Sequence, residues 1–118
     1  DRLMENAASM GEVVRRELDA IKAKHRSVGD TRGIGLFWVI ELVKDKKTRE
    51  PLVKWNVMGA EAAISREIDK RLLEGGVYTF VRWNFIFVTP PLCIKEDELL
   101  EGLRVIDKVL DYADSQAI

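Results

Sequence analysis

The sequence is poor in the residues that build metal centres and disulfide frameworks. Its 118 residues include one cysteine, Cys93, and one histidine, His25. A single cysteine excludes an internal disulfide, and a lone histidine without a second cysteine or histidine argues against a metal site. We therefore expect no metal. We expect His25 to lie exposed among the basic residues that end the first helix, and Cys93 to be buried as a small apolar side chain.

An excess of one charge and a long apolar run are also missing. Nineteen basic residues are balanced by twenty acidic ones, giving a net charge of −1. This balance argues against a nucleic-acid binder that would use Phe80, Arg82 and Trp83 as a stacking platform. No apolar run approaches the roughly 20 residues that span a bilayer. The first ten residues, DRLMENAASM, do not resemble a signal peptide. We expect no nucleic-acid or membrane partner and a cytoplasmic location.

Three amphipathic helices are predicted from apolar residues that recur every three or four positions. The first spans about residues 3–21 and the second about residues 60–73. Gly75-Gly76 follows the second helix, as is typical of a left-handed C-cap. The third helix starts after Ile94 with three consecutive acidic residues, which complement the positive end of a helix dipole.

Residues 36–43 predict a strand that is apolar on both faces, so we expect both faces to be covered. Trp38 within it is expected in the core. Glu41 needs a cationic partner if it points inward, and Arg32 is a candidate. Asp30 and Arg32 lie two residues apart on the preceding strand, so they point to the same face. Their expected role is to hold the turn and dock the chain.

A second hairpin is predicted over residues 77–94, which read VYTFVRWNFIFVTPPLCI. Two apolar runs flank Arg82-Trp83-Asn84, with Asn84 suited to the turn, and Pro90-Pro91 ends the second run. An arginine at the tip of a buried hairpin keeps its charge, so it favours a carboxylate, phosphate or sulfonate ligand. The predicted order is α-β-β-α-β-β-α. It describes one α+β domain, residues 1–118, in which a small antiparallel sheet of about four strands in two hairpins packs with three helices.

Two sequence motifs are more informative about fold and function than the composition is. One is D-x-R-G-x-G-L from Asp30 to Leu36, which includes Gly33 and Gly35. The other is FIFVTPPLCIKEDELLEGL from residue 85, with the double proline before an acidic helix start. In this order and spacing, with GGVYTF between them, they resemble the C-terminal small domain of class III aminotransferases. The resemblance covers essentially the whole chain, and we interpret Asp30, Arg32, both glycines and both prolines as structural or domain-docking residues.

The resemblance implies a pyridoxal-phosphate enzyme that moves an amino group from an ω-amino acid or amine to a keto acid such as pyruvate. In that family the cofactor-binding lysine lies in a larger preceding domain, and no lysine here has a matching setting. The chain is therefore expected to be a fragment that closes over the substrate, contains no catalytic residue, and is inactive and cofactor-free alone. Its expected partners are the large domain of the same polypeptide and other subunits of a homodimer or homotetramer.

The resemblance also implies a substrate-binding arginine ten residues before the first proline. Phe80 holds that position, and Arg82 lies eight residues before Pro90. Either Arg82 binds the substrate carboxylate through a tightened turn, or Phe80 and Trp83 line the pocket instead. Arg82 could also form a salt bridge with the large domain or lie exposed at the turn.

A free-standing α+β ligand-binding or protein-interaction module is the alternative to an aminotransferase fragment. Three helices and two hairpins in 118 residues could fold alone. The strand at residues 36–43 argues against it, because a lone small sheet would expose one of the two apolar faces.

Overall fold

Helices and strands follow the predicted order, with one short addition. The computed structural model describes residues 2–118. Within them lie helices α1 (Leu3–Lys24), α2 (Ala63–Glu74) and α3 (Glu96–Ser115), with a 3-10 turn at Gly59–Ala62, and strands β1 (Val28–Ile34), β2 (Phe37–Asp45), β3 (Glu50–Pro51), β4 (Val81–Arg82) and β5 (Phe85–Val88). The α-β-β-α-β-β-α order and the α+β class are confirmed. The two-residue strand β3 is the addition.

The sheet is antiparallel throughout, with strand β2 at its centre. The order is β1-β2-β5-β4, and β3 pairs with the end of β2. Side chains alternate between the two faces along each strand. We call the face that carries Trp38 and Ile40 the inner face, and the face that carries Phe37 and Val39 the outer face.

The three helices and the inner sheet face form the hydrophobic core. Each helix contributes side chains that are fully buried, such as Leu18 of α1, Leu72 of α2 and Leu110 of α3. Trp38 and Ile40 join the same cluster from the sheet. Burying a large apolar side chain contributes roughly 1.5–3 kcal/mol, so this layer supplies most of the driving force for folding. None of the helices in residues 2–118 combines the length and apolarity needed to cross a membrane.

Among residues 2–118, no helix lies on the outer sheet face. Ile40 and Leu42 are 0% exposed on the inner face, whereas Phe37 is 55% and Ile34 is 83% exposed on the outer face. The prediction that both faces of β2 are covered is therefore wrong for this chain taken by itself. The apolar residues of the outer face remain in contact with solvent.

The β4–β5 hairpin turns through Trp83 and Asn84. The left-handed backbone conformation falls on Trp83, with φ of 50°. Asn84 is buried, and its side-chain amide donates to the Leu42 carbonyl at 3.2 Å. The Leu42 amide donates back to the Asn84 carbonyl at 2.7 Å. Asn84 therefore joins the hairpin to β2.

Candidate functional site

Three phenylalanines form a contiguous surface on the outer sheet face. The ring of Phe87 meets the rings of Phe37 and Phe80 edge-on, with centroids 6.3 and 6.5 Å apart. Phe37 and Phe80 are 55% and 63% exposed. We call Phe37, Phe80 and Phe87 the aromatic patch. Its exposure makes it a candidate contact surface, since contiguous apolar surface in water usually marks an interface or a ligand site.

Arg82 lies at the margin of the aromatic patch. Its side chain is exposed, and its Cζ lies 5.7 Å from the centroid of the Phe80 ring. Among residues 2–118, no carboxylate forms an ion pair with it. The expectation of an arginine held at a buried hairpin tip is therefore wrong. Arg82 is instead a solvated cation beside an aromatic ring, available to an anion from outside the described residues.

Trp83 is separate from Phe80. The Trp83 ring packs against the Trp55 ring, with centroids 5.4 Å apart. Trp83 also lines a surface cleft together with Met58 and Arg66, and Phe80 is not part of that cleft. The structure therefore brings Arg82 and Phe80 together on the outer face. It does not bring Phe80 and Trp83 into one pocket.

Asp30, Arg32 and Glu41 form an ion-pair network on the outer face, beyond the aromatic patch. One guanidinium nitrogen of Arg32, Nη1, donates to Asp30 Oδ2 and to Glu41 Oε1, each at 2.8 Å. The candidate pair Arg32–Glu41 therefore forms, but with Glu41 on the outer face and not pointing inward, and Asp30 and Arg32 share that face. Burial would raise the pKa of the Asp30 carboxyl, but hydrogen bonds from Arg32, the Thr31 amide and Lys22 hold that pKa below its ordinary value.

The glycines of the D-x-R-G-x-G stretch make the β1–β2 turn possible. A Cβ on Gly33 would lie closer than 3.0 Å to the Phe37 carbonyl oxygen and the Trp38 ring. Gly35 has φ of 56°, a conformation that favours glycine. Its carbonyl accepts a hydrogen bond of 2.8 Å from Trp38 Nε1, and it packs tightly against Gly11 of α1. Both glycines therefore have a structural role here.

The double proline ends β5 and leads into α3. Pro90 and Pro91 line an apolar groove between the hairpin and α3. The Asn6 side chain of α1 donates to the Leu92 carbonyl at 2.7 Å and to the Ile94 carbonyl at 3.0 Å, which fixes the segment after the prolines. Cys93 in this segment is exposed, so the prediction that it is buried is wrong.

His25 was predicted to be exposed and is instead 1% exposed. Its Nε2 lies 2.6 Å from Asp107 Oδ1 and its Nδ1 lies 2.6 Å from Asp114 Oδ2. An ionised carboxylate only accepts, so this geometry is satisfied when both ring nitrogens carry protons. Asp114 also accepts from the Ser27 amide at 3.0 Å and from the Ser27 hydroxyl at 2.6 Å. We call His25, Ser27, Asp107 and Asp114 the His25 cluster.

The pKa directions in the His25 cluster follow from this geometry. Burial by itself would lower the pKa of His25, but the hydrogen bonds and charges of Asp107 and Asp114 raise it above its ordinary value. Burial by itself would raise the pKa of Asp107 and Asp114. Bonds from His25 and Lys24 lower the pKa of Asp107, and bonds from Ser27 and His25 lower that of Asp114.

Comparison with known families identifies the chain. The family model described as aminotransferase class-III matches residues 1–110. The chain belongs to the class III aminotransferases. Among curated relatives, it is 44% identical over 118 residues to the taurine–pyruvate aminotransferase of Bilophila wadsworthia, covering 98% of this chain and 25% of that protein. It is 37% identical over 110 residues to ethanolamine-phosphate phospho-lyase homolog 1 of Caenorhabditis elegans, covering 93% of this chain and 22% of that protein.

Solved aminotransferase structures share the fold. The taurine:2-oxoglutarate aminotransferase of Bifidobacterium kashiwanohense, in complex with PLP and glutamate, superposes with a TM-score of 0.87 at 32% identity, over 96% of this chain and 25% of that one. An S-selective transaminase from Arthrobacter sp. with alanine bound gives 0.84 at 29% identity, over 97% and 26%. The class III chain described here thus spans about a quarter of the length of these relatives.

The lysines of this class III chain are exposed or engaged in other contacts. Lys24 binds Asp107, and Lys46 donates to the backbone carbonyls of Lys22 and His25. Lys22 contacts Asp30 and is half-buried, and the other lysines are exposed. A Schiff base needs an enclosed amine that can lose its proton, which an exposed lysine does not provide.

Proposed function

We propose that the chain is the C-terminal small domain of a class III aminotransferase, which moves an amino group from an ω-amino acid or amine to a keto acid such as pyruvate. The family match over residues 1–110 carries this proposal. Relatives named for taurine–pyruvate and 4-aminobutyrate amino transfer, 44% and 32% identical to this chain, support the substrate class. A cytoplasmic location stays a prediction.

Pyridoxal phosphate is the proposed cofactor of the complete enzyme, bound in a larger domain of the same polypeptide. Two neighbouring structures are named as PLP-bound. The exposed and structurally engaged lysines described above support placing the cofactor's lysine outside these 118 residues. The chain by itself is then expected to bind no cofactor and to transfer no amino group. We further propose that the complete enzyme is a homodimer or homotetramer.

The outer sheet face is the surface that we propose for docking on the large domain. The aromatic patch is apolar and exposed, which favours burial against a partner. At the other end of the face, Arg32 pairs with Asp30 and Glu41, and Lys22 Nζ lies 3.5 Å from Asp30, so two cations balance two carboxylates. Because these charges are paired with one another, this end of the face suits a largely apolar partner surface, where an unpaired buried charge would be costly. The Gly33–Gly35 turn and Pro90-Pro91 hold the strands of this face in place.

Arg82 is the residue that we propose for binding the carboxylate or sulfonate of a substrate. Docking of the outer face would bring this margin close to the large domain, and the exposed Arg82 guanidinium beside Phe80 could form paired hydrogen bonds with an anion. Phe80 lies beside it and would contact the carbon chain of the same substrate. Trp83 packs on Trp55 and would contact substrate only from the side of the turn.

A chimera tests the activity. This chain would replace the corresponding 118 residues of the Bilophila enzyme, which is 44% identical to it. We expect the purified chimera to show a pyridoxal absorbance band and to transfer the amino group of taurine or 4-aminobutyrate to pyruvate, and the isolated chain to show neither. Ethanolamine phosphate is the comparison substrate for the phospho-lyase relative. Turnover by the isolated chain, or a folded and cofactor-loaded chimera without amino transfer, would contradict the proposal.

The Arg82→Ala variant of the chimera tests substrate binding. We expect the KM for pyruvate to rise about tenfold or more with an unchanged melting temperature, because a charge-assisted pair to substrate is worth about 1.5–3 kcal/mol. Arg104→Ala is the matched control, since Arg104 is an exposed arginine on α3. A lower melting temperature with an unchanged KM would instead show that Arg82 forms a salt bridge with the large domain.

A further inference from the structure

We propose that His25 is a proton-controlled clamp that holds the end of α1 against α3 and releases it when the imidazole loses a proton. The clamp involves residues that the proposed amino transfer does not use. It therefore stands on the geometry of the His25 cluster and is independent of the proposed function.

The clamp works because the imidazolium bridges two carboxylates. His25 follows α1 directly, whereas Asp107 and Asp114 lie seven residues apart on one face of α3. Both contacts are 2.6 Å long and the histidine is 1% exposed. A neutral imidazole has one N–H group. After deprotonation, one ring nitrogen would present a lone pair to a carboxylate at hydrogen-bond distance, and that contact has to open.

The charges around His25 make this opening more favourable. From α3, Asp111 also faces the ring, with Oδ1 3.9 Å from Nδ1. Two cations lie close by. Lys24 Nζ donates to Asp107 Oδ2 at 3.0 Å and to Oδ1, the oxygen that also meets His25, at 3.2 Å, and the Arg26 Nε donates to the Asp114 backbone carbonyl at 2.9 Å.

Lys46 reaches the same region from the loop after β2. Its Nζ donates to the His25 backbone carbonyl at 3.2 Å, so it contacts the main chain and not the ring. None of these three cations takes the place of the imidazolium between the two carboxylates. A neutral ring would therefore lie among three acidic side chains.

Opening of the clamp would extend into β1 and β2. Asp114 holds Ser27 through both the Ser27 amide and the Ser27 hydroxyl. The carbonyl of Ser27 in turn accepts the Val43 amide of β2 at 2.7 Å. Loss of the His25–Asp114 contact would therefore destabilise residues 25–28, which connect α1 to β1.

The direction of the pH dependence follows from the two kinds of shift. The pKa of His25 is raised, so its contribution to stability is complete below about 6.5, the ordinary value for histidine, and is lost as the pH rises through the raised pKa. The pKa values of Asp107 and Asp114 are lowered, so their contribution is complete above about 4 and is lost as the pH falls through the lowered values. The clamp is tightest between these limits.

Nuclear magnetic resonance can test the clamp directly, since His25 is the only histidine in the sequence. We expect its imidazole to titrate with a midpoint above 6.5. Over the same pH range, the Ser27 amide should lose about tenfold or more of its hydrogen-exchange protection, after correction for intrinsic exchange. A midpoint at or below 6.5, or Ser27 protection that does not change across the titration, would overturn the proposal.

His25→Gln and Asp107→Asn provide the matched variants. The first should remove the fall in melting temperature that we expect as the pH rises above about 6.5 through the raised pKa of His25. The second keeps the histidine and its Asp114 contact, and it should shift the imidazole midpoint downward, which gives a readout even if His25→Gln fails to fold. Asp19→Asn is the control, because Asp19 pairs with Arg15 on the exposed side of α1 and should leave the midpoint unchanged. An Asp107→Asn midpoint equal to that of the parent chain contradicts the clamp.

Discussion

At the scale of single residues, Gly33 and Gly102 differ in the space that is available for a side chain. A Cβ on Gly33 would collide with the Phe37 backbone and the Trp38 ring, whereas a Cβ on Gly102 in α3 would meet no atom within 4 Å. Gly33 is therefore required by close packing of β1 on β2. Gly102 lies within a helix, where glycine is unfavourable because it loses more backbone conformational entropy on folding than other residues do.

Substituting these two glycines tests this contrast. We expect Gly33→Ala to lower the free energy of unfolding by roughly 2–3 kcal/mol, because backbone and an indole ring have to shift. We expect Gly102→Ala to raise it by about 0.5–1 kcal/mol. Urea denaturation followed by circular dichroism measures both. Equal effects of the two substitutions would show that the Gly33 site can relax without cost.

Residue contacts were predictable where the partners are close in sequence. Arg32 and Glu41 were paired correctly because they lie on adjacent strands of one hairpin, where register follows from the chain. His25 was predicted wrongly because its partners, Asp107 and Asp114, lie 82 and 89 residues away. The seven-residue spacing of those two aspartates places them on one helix face. It becomes informative only once α1 is known to pack on α3.

At the scale of elements, strand β2 shows how one run of apolar residues divides between two environments. Ile40 is 0% exposed on the inner face, and Phe37 is 55% exposed on the outer face. Composition alone does not reveal this difference, since both residues belong to the same apolar run. The helices on the inner face produce it.

Two alanine variants on β2 are expected to differ in cost. Ile40→Ala should lower the free energy of unfolding by about 2–5 kcal/mol, because it leaves a cavity in the core. Phe37→Ala should lower it by about 1 kcal/mol, since the variant loses mainly the edge-on contact with Phe87. Thermal unfolding of the isolated chain measures both. A Phe37→Ala cost as large as that of Ile40→Ala would mean that the outer face is covered in solution.

Elements with strong periodicity were predicted well, and short ones were not. The apolar stripes of α1 and α3 and the apolar runs that contain β2 and β5 are long enough to define their type. Strand β3 has two residues, and a 3-10 turn precedes α2. Neither has enough residues for a period, and both depend on contacts with β2 and the α2 helix that form only in the folded chain.

At the scale of the whole molecule, the exposed outer face gives the isolated chain a measurable property. We expect the 118-residue chain to enhance the fluorescence of an apolar dye and to self-associate as its concentration rises, because the aromatic patch is in contact with water. Phe37→Lys and Phe80→Lys should each reduce both effects. Dye titration and analytical ultracentrifugation provide the measurements.

The control for this surface is Met4→Lys, since Met4 is 85% exposed on α1 and away from the sheet. It should change neither dye binding nor association. A monodisperse chain that binds no dye would instead support the alternative of a free-standing module.

The links between the two ends of the chain have a consequence for the order of events during synthesis. Asn6 of α1 binds carbonyls 86 and 88 residues later, and His25 binds a carboxylate 89 residues later. Helix α1 is synthesised before α3, so the part of its buried side that packs on α3 has no partner until α3 has also emerged. The core therefore cannot close until α3 has been made, and in the meantime part of the apolar side of α1 stays exposed on the nascent chain.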